Sequence, residues 1–175
     1  KQNGTLNINS SKLIATSLTL EPGGAIHVAS TVELSGSLDN LLTNGTSAKW
    51  SWSPTSDLTF TGGQSAIAEP FIPSNWAQLE VASINTGPGG GMNDFMLPIV
   101  TVKSSSRLLL VDRVLNGISE QPEVIYCSGL ILERGATLNL NGRQMFVNGV
   151  PAETGVSGNG TVTDDPVFLF ADIDG

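Results

Sequence analysis

Gly129-Leu-Ile-Leu-Glu-Arg-Gly-Ala-Thr-Leu-Asn-Leu-Asn-Gly-Arg-Gln-Met-Phe-Val-Asn148 is the stretch whose reading decides the fold. Leu130 and Leu132 flank Ile131 in the two-residue period of a half-buried strand. Arg134 and Gly135 read as a corner, after which Leu138 and Leu140 start a second face. Asn141-Gly142 turns the chain again, because Asn and Gly tolerate the positive φ of a tight corner. Met145 to Val147 then form a third short strand. Three strands and two corners in twenty residues are one turn of a parallel β-helix.

The same pattern occurs upstream. Leu18, Leu20, Glu21, Gly23, Ile26 and Val28 align without a gap on Leu130, Leu132, Glu133, Gly135, Leu138 and Leu140. Two copies of one strand–corner–strand pattern amount to an internal repeat, the mark of a solenoid. Between the copies lie more short strands, and the markers Leu34, Leu58, Leu79 and Val102 are spaced 24, 21 and 23 residues apart. A repeat of roughly 20–30 residues is the solenoid range. No window holds a helical period, and Gly or Pro interrupts most of those long enough for one. The expectation is an all-β chain, a parallel β-helix of about seven rungs over residues 1–163. Two long loops interrupt it, at 64–75 and 85–98. Residues 164–175 form a tail whose apolar run Val167 to Phe170 would cap the last rung.

Composition narrows the function. The 175 residues carry a net charge of −8 with only 8 Lys and Arg, which argues against nucleic acid, whose phosphates need clustered cations. At 14% charged and 39% hydrophobic, with 20 Gly, the chain is that of a folded protein with an uncharged polar surface. No run of about 20 apolar residues is present to insert in a membrane. A single cysteine, Cys127, excludes an internal disulfide and sits in an apolar strand, as a buried thiol would. The opening at Lys1, without Met, suits a processed secreted chain or an excised domain.

Residues 107–147 resemble a β-helical segment that recurs in large secreted proteins of planctomycetes and related bacteria, and more distantly the passenger domains of autotransporters. The resemblance is carried by Leu110-Val111-Asp112, Glu123-Val124-Ile125-Tyr126-Cys127, Leu130-Ile131-Leu132 and Gly135-Ala136-Thr137-Leu138-Asn139-Leu140-Asn141-Gly142. Cys127 departs from it, where an apolar residue is usual, and so does Asn139, where Asp is common. It implies a right-handed helix on a secreted or cell-surface protein and no particular chemistry. The terminal Phe170-Ala171-Asp172-Ile173-Asp174-Gly175 looks like the run into a dockerin-type calcium loop.

Few residues suggest a site. Asp172 and Asp174 match the first two ligands of such a loop, so calcium at the tail is the one cofactor the sequence suggests; the later ligands are missing. Trp50 and Trp52, two apart on one strand, could stack on sugar rings together with Trp76, although tryptophan is heavily buried on average. His27, between Ile26 and Val28, should face outward. Asp112 with Arg113 and Lys103 with Arg107 are the compact charged groups. None offers the paired carboxylates of a glycosidase. No catalytic residue is assigned, and a polysaccharide lyase or hydrolase is the residual enzymatic reading. The leading expectation is a non-catalytic structural or adhesive module, secreted or on the cell surface, whose partner is another copy of itself in an oligomer or filament. A carbohydrate-binding module for extracellular polysaccharide is the alternative.

Overall fold

A computed structural model describes residues 4–41, 50–63, 76–88, 95–113 and 122–165. The chain forms three sheets; its first three passes visit them in rotation, and the described strands after those passes alternate between the second and third. A first pass runs β1 (Thr5–Ile8), β2 (Leu13–Ala15) and β3 (Leu18–Leu20), and a second β4 (Ala25–Val28), β5 (Thr31–Leu34) and β6 (Ser37–Asn40). A third comprises β7 (Trp50–Trp52), β8 (Asp57–Phe60) and β9 (Ala77–Glu80). After the short β10 (Ser83–Ile84) come β11 (Leu97–Val102) and β12 (Arg107–Val111), then the long β13 (Glu123–Leu132) and β14 (Thr137–Asn139). The last pass holds β15 (Gln144–Val147), β16 (Val150–Pro151), the one-turn α1 (Ala152–Gly155), β17 (Val156–Gly158) and β18 (Thr161–Thr163).

The first sheet stacks β1-β4-β7 and the third stacks β18-β14-β12-β9-β6-β3. The second sheet follows β16-β15-β13-β11-β8-β5-β2, with β10 and β17 also paired to β13. All pairs among the described strands are parallel except β10 with β13 and β15 with β16. The architecture is all-β with parallel sheets, as the internal repeat leads one to expect. The third sheet is crossed six times within the described residues, against the seven rungs expected from spacing.

Register explains the core. Val32, Leu58, Val100, Leu130 and Val156 occupy successive strands at one position of the second sheet. Leu34, Phe60, Val102 and Leu132 form the next inward column, each 0% exposed. Leu38, Leu79 and Leu110 answer them from the third sheet. Each fully buried side chain of this kind contributes about 1.5–3 kcal/mol. A void of about 10 Å³ beside Trp50, Leu79 and Glu80 has room for no more than a water molecule.

Corners repeat one hydrogen-bonded turn. Gly24 N–H donates to Glu21 O, Ser106 to Lys103 O and Ala136 to Glu133 O, each at 2.9 Å. The residue before each donor has positive φ: Gly23 at 91°, Ser105 at 61° and Gly135 at 75°. Within the quoted stretch Leu130 and Leu132 are buried, Ile131 is exposed, and Asn141 and Gly142 have φ of 54° and 71°. The marker spacing read from sequence mixes two sheets, however. Leu79 belongs to the third sheet, whereas Leu34, Leu58 and Val102 belong to the second. The steps down the second sheet from Val32 are 26, 42, 30 and 26 residues.

Candidate functional site

The tryptophans come first, as the expected sugar platform. β7 pairs with β4 so that Trp50 lies beside Ile26 and Trp52 beside Val28 on the inward side. Trp50 is 8% exposed and its Nε1–H donates to Met96 O at 3.2 Å. Its ring meets Trp52 edge-on, centroids 5.7 Å apart at 61°, and meets Phe95 at 87°. Two rings at that angle present no common plane on which a sugar ring could stack. Trp76 lies elsewhere, just before β9, with the Arg107 guanidinium 5.3 Å from its ring centroid. The structure brings Trp50 and Trp52 together as core packing and leaves Trp76 to a separate cation–π contact.

Charged neighbours in sequence take different partners in space. Asp112 faces not Arg113 but Arg143, whose Nη1 is 3.3 Å from its Oδ2. Arg113 reaches back across the third sheet, with Nη2 2.8 Å from Asp39 Oδ1 and Nε 3.5 Å from the buried Glu80 Oε2. The Arg113 backbone N–H also donates to Glu80 Oε1 at 2.7 Å. Lys12 pairs with Glu33. Lys103 pairs with Glu133 at 2.7 Å, and Ser104 donates to the same carboxylate through its N–H and its hydroxyl at 3.0 and 2.9 Å. The Lys103 ammonium first, and the Ser104 donors after it, hold the Glu133 carboxyl below the usual carboxylate range.

Cys127 is buried between β11 and β15, and burial pushes its thiol up to about 12 against a weaker opposing hydrogen bond from the Gly129 backbone. A thiol that stays protonated is a poor nucleophile. His27 is half-buried between the buried Ile26 and Val28, on the outward side of β4. Among the described residues no three His, Cys, Asp or Glu side chains converge as a metal site. Asp172 and Asp174, with the Val167 to Phe170 cap, lie outside the described residues. Asp164 Oδ1 accepts from Gly142 N–H at 2.7 Å. No helix among the described residues is long and apolar enough to cross a membrane.

Two features escaped the sequence reading. On the outer face of the second sheet a groove of about 420 Å³ runs over Gly129, floored by Ile99 and Ile131 and rimmed by Ser128, Asn148, Val150 and Ser157. It depends on the hairpin of β15 and β16, whose signal was Asn148-Gly149 directly after an apolar strand. The second is the anchoring of Thr86 and Gly87 over β13. Tyr126 stacks on Phe146 at 5.4 Å, accepts from Thr86 N–H and donates to Gly87 O, both at 3.0 Å. Only an outward aromatic on a strand hinted at it.

Comparison with known protein families, with curated proteins and with solved structures found no match.

Proposed function

We propose that this chain is a right-handed parallel β-solenoid that serves as a rigid, non-catalytic structural or adhesive module of an extracellular or cell-surface protein. The observation that carries this reading is the use made of charge. Lys12–Glu33, Lys103–Glu133, Arg113 with Asp39 and Glu80, and Arg143–Asp112 each tie one pass of the chain to another. Side chains committed to bridging passes act as clamps, and clamps suit a scaffold better than a reaction centre. The rotation of the first three passes through three sheets, and the parallel stacking of later passes on the second and third, support a solenoid. Its right hand follows from the rule that crossovers between parallel strands of one sheet are right-handed in about 98% of cases.

Assembly with further copies is part of the proposal. Among the described residues each sheet ends at the first pass, and Leu6 there is 38% exposed beside a groove of about 310 Å³ that Leu18, Leu20 and Ile26 also line. Open strand edges beside apolar surface favour association.

Carbohydrate binding is the second reading. Trp52 and Trp76 keep a buried Nε1–H with no acceptor among the described residues. The test is incubation with soluble and insoluble polysaccharides, with and without calcium, recording retention and product release, beside sedimentation over a range of concentrations. Concentration-dependent growth with neither retention nor products supports the scaffold. Retention without products supports the carbohydrate reading, and released reducing ends or unsaturated products overturn both.

A further inference from the structure

We infer that Asn148 is a site of selective self-modification, converting to aspartate and isoaspartate through a succinimide, while two chemically identical Asn-Gly pairs in the same fold are protected. The step is intramolecular. The Gly149 backbone nitrogen gives up its proton to solvent base and attacks Asn148 Cγ. The N–Cγ bond forms, the Cγ–Nδ2 bond breaks and ammonia leaves. Water then opens the ring at either carbonyl, leaving aspartate or isoaspartate. Glycine after the asparagine favours attack because no Cβ crowds the nitrogen.

The described residues hold three such pairs, and the fold treats them differently. At Asn141-Gly142 the attacking N–H already donates to Asp164 Oδ1 at 2.7 Å. The Asn141 side chain is also tied, its Nδ2 donating to Leu110 O at 3.2 Å. At Asn159-Gly160 the Gly160 N–H donates to Leu132 O at 3.1 Å. At Asn148-Gly149 neither the side-chain amide nor the Gly149 N–H has a partner among the described residues, and Asn148 is exposed. Backbone conformation does not explain the difference between the first and last of these. Asn141 and Gly142 have φ of 54° and 71°, and Asn148 and Gly149 have 47° and 82°. The two pairs match in φ, and they differ in whether the reacting groups are hydrogen-bonded.

The consequence is local to the outer groove. Asn148 forms part of its rim, where the residues named are neutral, so conversion places a negative charge there. Isoaspartate also adds a backbone atom to the two-residue turn that sets Val147 opposite Val150.

The test is to age the folded protein in mildly alkaline buffer and follow each pair by peptide mapping with mass and isoaspartate detection. A urea-unfolded sample serves as reference. The expected result is conversion about tenfold or more faster at Asn148 than at Asn141 or Asn159, the protection that one to two hydrogen bonds supply. In urea the three should react at similar rates, and Asp164→Ala, which frees the Gly142 N–H, should accelerate Asn141 in the folded protein. Equal rates in the folded state, or no conversion at Asn148 while the unfolded sample reacts, overturns the inference.

Discussion

Glu133 shows how a single side chain is used here. Its carboxylate sits on one corner and grips the corner before it through Lys103 and Ser104. A carboxyl held below its unfolded value stabilises the fold above that value, and the contribution fades as the pH falls through the folded value. Glu133→Gln should therefore lower Tm most near neutral pH, with the gap to the native protein closing in acid and narrowing in high salt. A gap that stays constant down to low pH would show that the clamp is not electrostatic. Trp50 makes the opposite point, that a residue suited to ligands can belong to the core. Trp50→Ala should cost about 3–5 kcal/mol. Ser51→Ala, one exposed residue away, should stay within about 0.5 kcal/mol, both read by denaturant midpoints. The spacing of Trp50 and Trp52 was legible as one face of a strand. Which face it was, and the 61° between the rings, depended on Phe95 and Met96, far along the chain.

Corners are the elements that the sequence revealed most clearly. Glu21 to Gly24 and Glu133 to Ala136 close by the same bond at the same length, which is why their patterns align without a gap. Yet the first corner joins the third sheet to the first, and the second joins the second sheet to the third. A local pattern encodes the turn, whereas the sheet each strand joins is set by long-range register. Lys103 to Ser106 is a further copy that composition hid, since Ser105 occupies the left-handed position that glycine takes in the other two. A non-glycine residue there costs about 1–2 kcal/mol. Ser105→Gly should recover about 0.5–1 kcal/mol of that after the entropy of the freer unfolded chain is set against it. Thermal melts that show a loss instead would mean that the Ser105 side chain contributes more than its strain costs.

Across the whole molecule, the internal repeat announced parallel strands and the alternating apolar residues a shared core, and the columns through Val100 and Leu132 bear that out. The length of each pass was not legible. Of the steps of 26, 42, 30 and 26 residues down the second sheet, only the longest, from Leu58 to Val100, was marked in the sequence, by the two stretches read as long loops at 64–75 and 85–98. The central claim is that distant segments stack in one register, and the outward column of the second sheet states it most simply. Ile14 pairs with Glu33, Glu33 with Thr59, Thr59 with Thr101, Thr101 with Ile131, and Ile131 with Ser157. Ile14 is 67% exposed and Ile131 36%, so both can carry spin labels while the buried Cys127 stays out of reach. Four strand spacings separate them, about 19 Å, and five separate Ile14 from Ser157, about 24 Å. Pulsed dipolar spectroscopy on Ile14→Cys with Ile131→Cys, then with Ser157→Cys, should give two narrow distributions, the second longer by one strand spacing. Broad distributions, or no lengthening from the first pair to the second, would contradict the stacked architecture.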